Sequence, residues 1–148
     1  MLNTLAAART AGFAGRFLYM TSSGVTTRSL WTVFLNLYKG NTLAWRRRAE
    51  DEIRASGLDY KIIRTGMLRN RSGGQRSVEV TQDALPLSPR HRIARADVAE
   101  AFLAALDHPS ATHATFEVVW GHGNRREAWS VLLEHLKPDT ELLSRPAA

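Results

Sequence analysis

WRRRAEDEIRASGLDYKIIRTGML, Trp45 to Leu68, carries the pattern on which the fold turns. Trp45, Ala49 and Ile53 recur every four residues, so they share one helical face and predict its buried stripe. Asn41 or Thr42 stands where a cap belongs. Gly57 supplies the left-handed residue that closes a helix without a Cβ clash. Asp59 to Arg64, DYKIIR, then reads as a strand, and Thr65-Gly66 turns it.

Upstream, Arg16 to Thr21, RFLYMT, is a second short apolar run, broken by Ser22-Ser23-Gly24. It lacks polar alternation, which predicts a strand covered on both faces and hence a parallel sheet. Two such strands joined through a helix make a right-handed crossover unit. Residues 3–13 read as a helix built on Leu5, Ala6, Ala7 and Ala8, with Gly12 as its stop. Residues 25–40 are ambiguous: Leu30, Val33, Phe34 and Leu37 have helical spacing, ending at Lys39-Gly40-Asn41.

Downstream, residues 69–91 hold Gly73, Gly74, Pro86 and Pro89 and read as loop, with a short strand at Ser77–Val80. Ala94 to Leu106 predicts a helix whose first turn carries Asp97, favourable to the helix dipole. Thr115 to Trp120, TFEVVW, is a third strand. Arg126 to Leu136 is a last helix stopped by Pro138, and residues 138–148, ending in LLSRPAA, are expected to be a frayed tail.

At 148 residues, 44% hydrophobic and 23% charged, the chain is one globular domain. No apolar run reaches the ~18 residues that span a bilayer, so no membrane segment is expected. The first residues lack a basic flank followed by an apolar stretch, which argues against a secretory signal. The absence of cysteine excludes disulfides, thiol catalysis and cysteine-bound metal. A reducing, cytoplasmic setting fits. The net charge of +6 invites comparison with nucleic-acid binders, but the basic residues are dispersed along the chain. Arg46-Arg47-Arg48 is followed by Glu50-Asp51-Glu52, so the run reads as a solvated helix face with internal ion pairs. No nucleic-acid partner is expected.

Other constellations are weak. His108 and His113 have no carboxylate at metal spacing, so no metal site is expected. Gly121-His122-Gly123-Asn124 lacks the lysine of a phosphate loop and reads as a surface turn. No Gly-x-Ser-x-Gly elbow supports a hydrolase. Trp31, Trp45, Trp120 and Trp129 read as core fillers, or as an apolar face that needs a partner.

Ser56 to Gly66, SGLDYKIIRTG, and Arg92 to Leu106, RIARADVAEAFLAAL, together resemble the NAD(P)-binding atypical short-chain dehydrogenase/reductase family, its NmrA-like branch. The resemblance runs from about residue 3 to residue 120. It implies an α/β fold: a partial Rossmann-like, doubly wound parallel sheet of three to four strands flanked by helices. Helix 3–13 then precedes the family's fifth strand, FLYMTSSG is that strand, and Trp45–Gly57 is similar to the active-site helix. The N-terminal dinucleotide-binding half, with its Gly-x-x-Gly-x-x-Gly turn, is missing from these residues. The chain thus reads as a gene fragment, a truncated reading frame or one partner of a split fold.

The same resemblance implies a cofactor, NADP or NAD, and hydride transfer to a small carbonyl, quinone or flavin. Ser22 takes the place of the substrate-orienting serine, with Ser23 beside it; the other reading is a plain strand-ending turn. Arg46 stands at the lysine position and Thr42 at the tyrosine position of the Tyr-x-x-x-Lys pair. Arg46 stays protonated and can hold a ribose hydroxyl or phosphate. Thr42 has no phenol, so the proton-relay pair is absent, and Tyr38 and Lys39 lack its spacing. Ser22, Ser23, Arg64, Thr65, Gly66 and Met67 are the implied cofactor contacts, with threonine at 65 where the family has proline. Arg64 faces the crevice at the sheet's C-terminal edge, or pairs with Asp97 or Glu100. Two rival readings follow. One is a non-catalytic NmrA-like redox sensor or scaffold. The other is a structural partner whose open sheet edge exchanges strands or forms a homo-oligomer.

Overall fold

Ile62 and Ile63 point to opposite faces of one strand, and neither has any exposure. Asp59–Thr65 therefore lies inside a sheet with both faces covered. The computed structural model describes residues 1–27, 40–124 and 126–143. Helix α1 (Leu2–Thr10) leads to β1 (Arg16–Ser22), α2 (Thr42–Arg54), β2 (Asp59–Thr65) and β3 (Met67–Arg69). Then come β4 (Val78–Thr81), β5 (Arg92–Ala94), α3 (Arg95–Asp107), a 3-10 turn at Pro109–Ala111, β6 (Ala114–Trp120), α4 (Trp129–Glu134) and α5 (Asp139–Leu143).

The main sheet has the order β1-β2-β6-β4. β1 and β2 are parallel, from Arg16 opposite Asp59 to Ser22 opposite Thr65, and β2 is parallel to β6. β3 and β5 form a separate two-stranded parallel ribbon. This is an α/β fold with a mostly parallel sheet flanked by helices, as expected. The fourth strand corrects the all-parallel reading: β4 runs antiparallel to β6, Val78 opposite Trp120. An antiparallel edge strand on a parallel sheet is a common arrangement.

Alternation across the strands divides the core in two. Under α1 and α2 lie Leu5, Ile53, Tyr60 and Ile62, with Phe17 and Tyr19 against them. Under α3 and α4 lie Ile63, Phe116, Val118, Ile93, Val98, Ala101 and Leu133. Gly57 adopts φ +76° just after α2, as its stop role requires.

Several expectations change. β1 is not covered on both faces: it is the edge strand of the described sheet, Met20 is 48% exposed, and of its residues only Thr21 is buried. Trp45 is not part of α2's buried stripe. It is 58% exposed and lies against Arg48, while Leu43, Ala49, Glu50 and Ile53 face inward. Glu50 is therefore no solvated member of its charge run. Asn41 holds the N-cap position of α2 in the left-handed conformation, and its side chain makes no cap hydrogen bond. The last predicted helix is shorter, Trp129–Glu134, and the stretch expected to fray carries α5 at Asp139–Leu143, held by the buried Asp139. Trp31, the helical spacing at residues 30–37, Tyr38, Lys39 and the tail from residue 144 lie outside the described residues. No described helix is long and apolar enough to cross a membrane.

Candidate functional site

The C-terminal ends of β1, β2 and β6 lie side by side, with Thr65 between Ser22 and Val118. Open α/β sheets collect ligands at this edge. Ser22 is half-buried there, and its hydroxyl bonds no described residue. Ser23 turns inward and is fully buried; its N–H donates to the Thr65 carbonyl at 3.0 Å. The Ser23 hydroxyl sits beside the Glu117 carboxylate and pulls its pKa down, yet neither Ser23 Oγ nor Glu117 Oε2 completes an aligned hydrogen bond.

The turn after β2 is locked from behind. Thr65 Oγ1 donates to the Thr21 carbonyl at 3.3 Å, and the Met67 N–H donates to the His91 carbonyl at 2.8 Å. A Cβ on Gly66 would stand 2.5 Å from His91 O, so only glycine fits this close backbone approach.

Arg64 pairs with neither Asp97 nor Glu100. Its Nε and Nη2 donate to the two Glu50 oxygens at 3.1 and 2.6 Å, and Nη1 reaches Thr26 Oγ1 at 3.3 Å. Glu117 Oε1 lies 3.7 Å from Nη1 and accepts the Leu85 N–H. Glu50 also holds Arg54, whose Nε donates to Asp139 at 3.0 Å. Asp139 in turn accepts from Tyr60 Oη and from the N–H and hydroxyl of Thr115. One buried ionic chain thus ties α2, β2, β6 and α5 together. Burial pushes the Glu117 carboxyl above its usual range, against the pull of Ser23, Arg64 and the Leu85 N–H and with a smaller upward push from Glu50.

Tyr60 gives the chain a pH signature. Burial, then the charge and hydrogen bond of Asp139, push its pKa well above the ordinary tyrosine value, against a smaller opposing effect of Arg54. The unfolded chain releases this proton near pH ~10 while the folded chain keeps it. The stability tied to Tyr60 is intact below that pH and declines as pH climbs past it. Between about pH 9 and 11, the melting temperature should fall more steeply for wild type than for Tyr60→Phe. Parallel curves would exclude this role.

Asp97 and Glu100 serve α3 differently. Asp97 is buried in its first turn and accepts from Gly74 N at 2.7 Å, Trp120 Nε1 at 2.8 Å and Arg126 at 3.2 Å. Glu100 holds Arg126 and Trp129 Nε1.

A family profile described as NAD(P)H-binding matches residues 1–109. The chain belongs to this NAD(P)H-binding family. Sanguinarine reductase of Eschscholzia californica is 42% identical over 87 residues, which cover 57% of this chain and 32% of that protein. A solved structure from Bacillus halodurans, a candidate NAD-dependent epimerase/dehydratase, superposes with TM-score 0.67 at 27% identity, over 90% of this chain and 57% of that one. A short-chain dehydrogenase/reductase from Veillonella parvula, solved with NADP, gives TM-score 0.58 at 18% identity, over 81% of this chain and 57% of that one. The chain spans less than two thirds of the length of each.

In this member of the family the expected site residues separate into two groups. Ser22, Ser23, Thr65, Gly66 and Met67 meet at the strand ends, with Arg64 behind them in the ionic chain. Thr42 and Arg46 instead line a hollow of about 400 Å³ with Tyr19, Trp45 and the start of α1. Tyr19 precedes Ser22 by three residues, about 10 Å along the strand. Its burial raises its pKa, Arg46 lowers it and Glu50 raises it, with a net upward shift, so Tyr19 keeps its proton.

Sequence reading missed Glu50, Glu117, Asp139 and the ties of Asp97. A signal was present: Arg64 and Glu117 are charges inside apolar strand segments, and a buried charge demands a partner.

Proposed function

We propose that the crevice at the ends of β1 and β2 is the nicotinamide-facing side of an NAD(P)H-dependent oxidoreductase site. The observation that carries this reading is the register of Ser22 against Thr65, with the Ser22 hydroxyl left unengaged at the rim. A half-buried hydroxyl with free donor capacity suits a carbonyl or carboxamide oxygen. Family membership supports NADP or NAD as the cofactor. The sequence holds no Gly-x-x-Gly-x-x-Gly turn for a pyrophosphate, so the fit is at the nicotinamide end.

Bound reduced nicotinamide supplies hydride. Ser22 donates a hydrogen bond that orients the acceptor oxygen. The backbone of Thr65, Gly66 and Met67 lines the ring, with Ser23 closing the turn from below. Arg64 acts as a positioning residue by fixing β2 to α2. The Arg46 guanidinium holds a ribose hydroxyl or phosphate that reaches its hollow. Thr42 offers no acidic proton, and Tyr19 keeps its own. Acceptors that take their proton from water, a quinone or flavin, therefore suit the site better than a simple carbonyl. Cytoplasmic residence belongs to the same proposal and is read by fractionation of tagged chain.

The test is titration of the full chain with NADPH, NADH and reduced nicotinamide mononucleotide, followed by cofactor oxidation with quinone and flavin acceptors. Ser22→Ala should lower kcat about 100-fold, as loss of an oriented donor does, with the cofactor KM little changed. Binding without turnover would favour the sensor reading. No binding of any of the three would sink the proposal.

A further inference from the structure

A hollow of about 820 Å³ opens beside Trp120, and four guanidiniums line it: Arg69 from β3, Arg71 and Arg76 from the loop that follows, and Arg92 from β5. The basic residues that are dispersed in sequence are thus gathered by the fold. Arg54, Arg64 and Arg126 each meet carboxylates, but none of these four has an acidic partner among the described residues.

The geometry holds the charges together. β3 and β5 pair with Met67 opposite Arg92 and Arg69 opposite Ala94. Arg69 and Arg92 therefore leave the same face of the ribbon, while Leu68 and Ile93 take the other face, against the core. Like charges on a sheet diagonal repel. Arg76 lies over the Trp120 ring, Cζ 5.0 Å from its centroid, so the indole face holds it and its charge stays uncompensated. Asp97 fixes the frame: one oxygen takes Trp120 Nε1 and the other takes the Gly74 N–H of the arginine-bearing loop. Past Arg92 and Trp120 a second hollow of about 400 Å³ continues to Arg90, His91 and His122, with Glu79 as the acid on its wall.

We propose that this arginine-lined hollow binds a small ligand carrying two or more oxyanion groups. Guanidiniums match carboxylate, phosphate and sulfonate oxygens in paired hydrogen bonds. The volume is that of a small-molecule pocket. A nucleic acid fits less well, since the aromatic face at the site is already covered by Arg76 and no stacking platform is left. The proposal stands apart from the hydride-transfer reading, because it rests on charge and shape at β3, β5 and their loop.

The experiment is calorimetric titration of the full chain with inorganic pyrophosphate and, separately, with benzene tricarboxylate. Saturable one-to-one binding of either supports the proposal, and the preferred anion names the oxyanion class. Arg69→Gln and Arg92→Gln should each weaken binding about tenfold or more, and the double variant should abolish it. These side chains are exposed, so the melting temperatures should be unchanged. Arg47→Gln removes the same charge from the exposed face of α2 and should leave binding within about twofold. Equal weakening by Arg47→Gln, no binding of either anion, or displacement of pyrophosphate by a short DNA duplex would overturn it. Pyrophosphate held at a cofactor site would survive Arg69→Gln and Arg92→Gln and be lost with Arg46→Gln, an outcome that would overturn this proposal and leave the hydride-transfer reading standing.

Discussion

Glu50→Ala should destabilise the fold by about 3–5 kcal/mol, the cost of leaving a buried charge without its partner. For a domain of this size that lowers the melting temperature by on the order of 10 °C. Glu50 has no exposure and takes both arms of Arg64 as well as Arg54. Without it, Arg64 keeps only the longer contact to Glu117 and the Thr26 hydroxyl. Glu50→Leu with Arg64→Met and Glu117→Gln removes the pair together with the second acid that faces Arg64 and should recover most of the loss, since neutral side chains of similar volume need no ionic partner. Thermal melts of both variants against wild type decide it. A fall below about 3 °C for Glu50→Ala would mean that water reaches the pair and that it is not buried in solution.

Asp97→Ala should cost about 3 kcal/mol or more, because it strands the N–H of Trp120 and the N–H of Gly74 at once. It also removes a negative charge from the first turn of α3. The effect is expected to be local as well as global. The loop from Arg69 to Arg76 should become a site of early proteolysis, and pyrophosphate binding should weaken with it. Asp97→Asn keeps hydrogen-bonding capacity and should lose less than half as much. Limited proteolysis and melting curves test both, and an unchanged cleavage pattern would refute the loop-anchoring role.

The strand–helix–strand unit was legible because its signals agree. The apolar run of DYKIIR is continuous, Gly57 sits where the chain must turn left-handed, and residues 59 and 16 begin strands of equal length. The strand-end group of Ser22, Thr65, Gly66 and Met67 followed from the same unit. The orientation of α2 was not legible. Trp45 is the largest apolar side chain of its helix, yet the helix turns it outward to bring Glu50 over Arg64, fourteen residues away on β2. Local periodicity carries no information about such a pair. β4 did leave a trace: VEVT alternates buried and exposed residues, the pattern of an edge strand rather than a doubly covered one. The arginine hollow draws on β3, β5 and the loop following β3, and no window of sequence spans all three. Asp97 was read through the helix dipole and as a candidate mate of Arg64, because the partners it does hold, Gly74 and Trp120, are distant in the chain.

Along its outer side β1 presents backbone donors and acceptors that no described strand meets. Two identical molecules that join there in a closed pair are related by a twofold axis, and a twofold lying across the rim reverses one copy. Their rims then align head to tail, and each molecule's parallel order gives way to an antiparallel seam at the centre of a doubled sheet. Met20, already bare on one copy, would find its counterpart close to that seam.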